Sequence, residues 1–236
     1  MRMIIAAVLM SANMAIAANS VQVQVRPAVV ELFTSEGCSS CPPAEVYLGE
    51  LAERPDVLAL AFHVDYWDGL GLHDRFVIPE ATPRQRGYAR SLRRSSIYTP
   101  QIVVDGTVDF VGSDRARIVR ALKDSRTGVP IEITVREGSL AIDLLSESMT
   151  AKASDVVLFA FARSAVSPIG RGENSGRTLT EYNIVRAVKH LGEYVGRAQT
   201  YRADLSSLPK DATDVAVIVQ SLGQGLVLGA ARYSLR

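Results

Sequence analysis

Cysteine is nearly missing from this chain: Cys38 and Cys41 are the only two among 236 residues. No second C-x-x-C exists to complete a tetrahedral set, so a four-cysteine zinc knuckle is excluded. An excess of one charge is missing too. Lys and Arg number 26 against 25 Asp and Glu, a net charge of +1 with histidine neutral. That balance gives no global attraction to nucleic acid or to a membrane surface, and neither is expected as a partner. Beyond the N-terminal segment no apolar run approaches the about 20 residues that span a bilayer, so no membrane span is expected in the mature chain. Methionine-rich tracts, internal repeats and low-complexity stretches are also lacking. What remains is 47% hydrophobic and 22% charged, an ordinary soluble composition with enough apolar content for a core in one or two domains.

The N-terminus reads as a secretory signal over residues 1–18. Arg2 supplies a positive start, Met3 to Met10 is apolar, and Ala15-Ile16-Ala17 gives a small-x-small cleavage pattern. No cysteine follows the apolar run to accept a lipid. The expectation is an exported protein, periplasmic or secreted, in a compartment where Cys38 and Cys41 rest as a disulfide.

Residues 28–33 form a short apolar run, read as a strand that leads into Cys38-Ser39-Ser40-Cys41-Pro42-Pro43. Ala44, Tyr47, Leu48, Leu51 and Ala52 then repeat at helical spacing, and proline is tolerated in the first turn. Val57 to Val64 is apolar almost throughout, as in a central strand covered on both faces. A second helix is placed from Thr82, with Thr82 as its cap, Pro83 in its first turn and Gln85 completing a capping box. Asp105-Gly106 marks a hairpin between 101–104 and 108–111, and a helix follows from Asp114 to Lys123. After Gly128 the rhythm becomes strand after strand: 131–136, 140–145, 156–163, 182–191, 198–205, 215–222 and 226–233. These read as a β-sandwich.

A C-x-x-C pair at a helix start is a compact redox switch. The helix N-terminus favours a thiolate, and the thiolate is the reactive form. Cys38 is the expected nucleophile, exposed at the helix start, and Cys41 the more buried resolving thiol. At the end of the second strand stand His63, Asp65, Tyr66, Trp67 and Asp68. Alternation puts His63 and Asp65 on one face, with Asp65 the candidate proton acceptor for the resolving cysteine. Trp67 is a candidate for shielding the dithiol or packing a substrate. The structural alternative makes His63 and Trp67 core residues and the aspartates turn formers. Arg84, Arg86, Arg90, Arg93 and Arg94 form an acid-free stretch, read as a solvated helix face. The glycine-rich loop from Gly170 to Arg177 lacks the flanks of a phosphate loop and is read as a surface loop or as a contact with the first domain or a partner.

The order strand, C-x-x-C helix, strand, helix, hairpin, helix resembles the thioredoxin fold over about residues 28–125. More specifically, residues 31–44 (E-L-F-T-S-E-G-C-S-S-C-P-P-A), His63 to Asp68, Tyr98-Thr99-Pro100-Gln101 and Gly172-Glu173-Asn174 resemble a secreted bacterial thioredoxin-like family of unknown function. The resemblance implies an α/β thioredoxin-like domain at 19–127 followed by a mainly β, sandwich-like domain at 128–236. From the wider superfamily it implies redox roles for Cys38 and Cys41 and a cis Pro100 beside them. It also implies that Thr99 pairs with an extended substrate near Tyr98. The resulting expectation is a thiol–disulfide oxidoreductase acting on protein or small-molecule thiols and disulfides, with an unidentified redox partner and no cofactor. One alternative is a copper or zinc carrier using Cys38, Cys41 and His63, or Asp65. Another is a binding module in which the disulfide is a staple.

Overall fold

The computed structural model describes residues 24–69, 73–124, 126–146 and 152–235; the expected signal segment at 1–18 lies outside them. In chain order the elements are β1 (Gln24–Val25), β2 (Ala28–Thr34), α1 (Pro42–Ala52), β3 (Val57–His63), α2 (Ala81–Ser91), β4 (Gln101–Val104), β5 (Val108–Val111) and α3 (Arg115–Ala121). Then come β6 (Thr127–Gly128), β7 (Ile131–Arg136), β8 (Ser139–Leu144), β9 (Ser154–Pro168), β10 (Thr178–Tyr194), β11 (Gln199–Asp204), β12 (Asp214–Ser221) and β13 (Val227–Ser234). Among the described residues no helix is long and apolar enough to cross a membrane.

The elements fall close to their expected places, but their assembly differs from the expected one. Eight strands form a single mixed sheet in the order β13-β12-β9-β10-β3-β2-β4-β5. Strands β11, β8 and β7 form a second, smaller sheet, and β1 pairs with β6. The fold is therefore mostly β, and the expected α/β thioredoxin-like domain followed by a separate sandwich is not what forms. The physical reason lies at β3. Its parallel partner β2 covers one edge, and a long strand from the second half, β10, covers the other through Ile184 opposite Ala61. Asn183 reinforces the seam by donating from Nδ2 to the carbonyl of Ala59 at 2.9 Å.

Alternation sorts the sheet's residues into layers. Val29, Phe33, Leu58, Leu60, Phe62, Phe159 and Phe161 face one side, where α2 packs through Ala81 and Tyr88. On the other side, Val30, Leu32, Ala59 and Ala61 meet α1 and α3. Further along that side Leu158, Ala160, Val215 and Val217 pack on the small sheet.

The cap of helix α2 lies two residues before the expected one. Glu80 occupies the cap position without a side-chain bond, and Thr82 lies inside the helix. Its hydroxyl instead donates to Asp65 at 2.6 Å. The Asp105-Gly106 turn forms as expected, both residues having positive φ. Helix α3 is capped by Asp114, whose carboxylate accepts from the Arg117 amide at 3.1 Å.

Candidate functional site

Strand β2 ends at Thr34 and hands the chain to a tight loop, 35–40, before α1. The Cys38 amide donates to the Ser35 carbonyl at 3.1 Å, and the Cys41 amide donates to the Cys38 carbonyl at 3.2 Å. These turns bring the two Cα atoms to 5.4 Å, and the sulfurs are joined as a disulfide. Cys41 occupies the helix cap position, with Pro42 and Pro43 in the first turn, where a missing N–H costs nothing.

The expected exposure of Cys38 is not found. Cys38 is 0% and Cys41 1% exposed, although Ser39 and Ser40 between them face solvent. The loop joining β9 to β10 closes over Cys38. Buried Asn174 donates from Nδ2 to the carbonyls of Glu36 at 2.9 Å and Cys38 at 3.0 Å. Arg177 holds Asn174 in turn, donating to its Oδ1 at 2.8 Å. The Ser39 amide donates to Glu173 at 3.4 Å. The glycine-rich loop is thus a clamp on the cysteine turn. Cys41, by contrast, lines a cavity of about 310 Å3 together with Ser35, Glu45, Arg177, Glu181 and Tyr182. The cysteine that lines a cavity is the one expected to be the more buried.

Trp67, Thr99 and Pro100 converge beside this turn. The Trp67 indole N–H donates to the Thr99 hydroxyl at 2.8 Å, and Trp67 packs on Gly37, where a Cβ would lie 3.2 Å from its own. The Thr99–Pro100 peptide is cis. Gly112 lets Pro100 approach α1: a Cβ there would meet the Ala44 Cβ at 2.7 Å and the Pro100 Cβ at 3.0 Å. Tyr98 turns toward β5, its hydroxyl donating to Asp109 at 2.9 Å.

Asp65 and His63 do not share a face. The strand ends at His63, a 3-10 turn runs from Asp65 to Trp67, and alternation stops there. Asp65 is exposed and bound to Thr82. His63 is fully buried, with Nδ1 2.8 Å from Asp74 and Nε2 3.9 Å from Glu181. Burial alone would depress the imidazole, but the Asp74 carboxylate outweighs it and holds His63 above its ordinary value. Cys38, Cys41 and His63, the ligand set of the alternative metal-carrier reading, are not the set of donors found grouped among the described residues. The cysteines are bonded to each other, and the donor atoms of Glu45, His63 and Glu181 lie within 4.8 Å of one another. Burial pushes the Glu45 carboxyl up to about 7. Burial, reinforced by the Glu45 charge, pushes Glu181 up to about 9.

Glu45, Asp74 and Glu181 escaped the reading of the sequence. A signal existed for two of them. Glu45 sits one turn after Cys41 beside the apolar stripe residue Ala44. Glu181 follows Leu179 in the buried phase of an alternating strand.

A protein from Agrobacterium tumefaciens with a crystal structure is 28% identical, with a TM-score of 0.78 over 90% of this chain and 96% of that one. No curated protein matches this chain. A family model described as a protein of unknown function, DUF1223, matches residues 29–220. That span runs from the strand leading into the cysteines to the strand holding Gln220, and the chain belongs to the DUF1223 family of proteins of unknown function.

Proposed function

We propose that the protein is an exported thiol–disulfide oxidoreductase whose Cys38–Cys41 disulfide is reached from the Cys41 side. The observation that carries this reading is the cavity of about 310 Å3 with Cys41 in its wall, at the first turn of α1. A cysteine at that position stands beside a cavity and at a helix N-terminus that favours its thiolate. Export follows from the signal pattern of residues 1–18.

The step is a two-electron exchange. A thiolate entering the cavity attacks the Cys41 sulfur, the bond to Cys38 breaks, and Cys38 leaves as a thiolate. A second thiolate attacks the mixed disulfide on its outer sulfur, releasing a small disulfide and the Cys41 thiolate. Two thiols are oxidised, the protein disulfide is reduced, and the two protons end on the cysteine pair. Run backwards, the dithiol reduces a disulfide. A partner too large for the cavity requires the Asn174 clamp to lift from Cys38.

Near-complete burial of both sulfurs favours one competing reading, a structural staple. Single-cysteine variants decide between the two. Cys38→Ser keeps the cavity-lining thiol and is expected to form a mixed disulfide with glutathione disulfide while folded, read by intact mass. Cys41→Ser keeps the clamped thiol and is expected to react more slowly, with Asn174→Ala restoring speed. If neither variant forms a mixed disulfide and both only melt at lower temperature, the disulfide is a staple.

A further inference from the structure

We infer that Glu45, His63 and Glu181 form a binding site for a divalent transition-metal ion of the Zn2+ kind, opening onto the cavity beside Cys41. The inference stands apart from the redox reading, because no cysteine belongs to the set.

The three side chains come from α1, β3 and β10, so both halves of the chain build the site. They are 4%, 0% and 1% exposed. Both Glu45 carboxylate oxygens, His63 Nε2 and Glu181 Oε2 are buried without a hydrogen-bond partner. Buried polar atoms are nearly always satisfied, so orphaned atoms on three residues whose donor atoms lie within 4.8 Å of one another call for an explanation, the Glu45 and Glu181 carboxyls being close enough to interact with each other. The Thr34 hydroxyl lies near Glu45, yet it too makes no well-formed bond.

The histidine is prepared as a ligand. Its Nδ1 faces Asp74 Oδ2 at 2.8 Å, and Asp74 is itself fixed by the amides of Glu36 at 2.8 Å and Phe76 at 2.9 Å. A carboxylate on one ring nitrogen sets the tautomer, so the other nitrogen presents its lone pair to the cluster. One imidazole nitrogen and carboxylate oxygens form a donor set suited to Zn2+, and two carboxylates neutralise a doubly charged ion. Donor atoms within 4.8 Å of one another need only modest rotation of the two glutamates to reach bonds of about 2.0–2.2 Å. Glu45 and Glu181 also line the cavity, which gives the ion an entry path and leaves a coordination position for water or a substrate group.

The competing occupant is a proton shared between the carboxyls. Titration of the chelator-treated mature chain with ZnCl2 alone, followed by calorimetry, separates the two. One Zn2+ per chain is expected. His63→Gln and Glu181→Gln are each expected to weaken binding by roughly 100-fold or more, and Asp74→Asn by about 10–100-fold through loss of the histidine's orienting partner. Far-UV circular dichroism establishes that each variant is folded, and if His63→Gln is not, Glu181→Gln decides. The double variant Cys38→Ser/Cys41→Ser is expected to keep wild-type affinity. Absence of saturable binding to the wild type, binding that survives both ligand substitutions, or binding lost with the cysteines would overturn the inference. None of these outcomes touches the redox reading, which is scored on the mixed disulfide.

Discussion

Arg84 carries a full charge into the apolar layer between α2 and the sheet. Glu31 receives it through two contacts, at 2.5 and 2.9 Å, while Gln220 accepts at 3.0 Å and the Tyr88 hydroxyl lies at 3.0 Å. Its guanidinium also lies 5.0 Å from the Phe159 ring centroid and 5.6 Å from that of Phe62. Removing one partner of such a pair strands the other charge in the core. Arg84→Ala is therefore expected to cost about 3–5 kcal/mol, on the order of 10 °C in Tm for a chain of this size, measured by thermal melting. Replacing the pair together, Glu31→Leu with Arg84→Met, is expected to recover much of that loss. The acid-free arginine run reads as a solvated face, and Arg86, Arg90 and Arg93 are indeed exposed. Arg84 breaks the pattern because, Tyr88 apart, its partners Glu31 and Gln220 stand 53 and 136 positions away, where no local spacing points to them. The burial of Glu45 and Glu181 left a local signal, but their meeting with His63 was hidden for the same reason. Cys38 and Cys41 were legible because their partnership is local.

Hairpin β4–β5 shows what an element-level signal delivers. Asp105-Gly106 fixed its position in the sequence, but the same aspartate also accepts from the Val29 amide at 3.0 Å and from Arg26 at 2.7 Å. Asp109, across the hairpin, collects Gln101 and Tyr98 at 2.9 Å each and Arg94 at 2.8 Å. Burial pushes its carboxyl up, but these donors outweigh burial and hold it below the ordinary 3.8. A group depressed in the folded state binds its proton more readily when unfolded. It therefore stabilises the fold above about pH 4, and that contribution fades as pH falls through its folded value. Asp109→Asn is expected to lower stability at neutral pH and to flatten the acid limb of a stability–pH profile below about pH 4. An unchanged acid limb would show that the hairpin's charge network carries no such linkage. The loop from Gly170 to Arg177 was visible as a loop, with contact to the first half only one of its alternatives. Its hold on the Cys38 carbonyl was not, because Asn174 works through backbone atoms that any residue type supplies.

At the scale of the molecule, the strands were read well, but beyond the β4–β5 hairpin their partners were not. The near-continuous apolar sequence of β3 asked for cover on both faces, but its edges are paired through backbone groups that side-chain type does not specify. A self-contained N-terminal domain would have left one edge free, and β10 is the strand that takes it. One sheet through both halves predicts one cooperative transition. Trp67, the single tryptophan, reports on the first half, and far-UV circular dichroism reports on the whole. Their denaturant midpoints are expected to coincide, and separated midpoints would mean two independently folding domains. The central claim, that the cavity-lining disulfide is redox-active in the folded protein, is tested most directly by equilibrating the native chain in glutathione buffers and counting alkylated thiols by mass. Reversible reduction of Cys38–Cys41 at a potential above about −300 mV, with the Trp67 emission of the native state retained, is the predicted result. A disulfide that stays closed across the whole buffer series and yields only when the protein unfolds would contradict it.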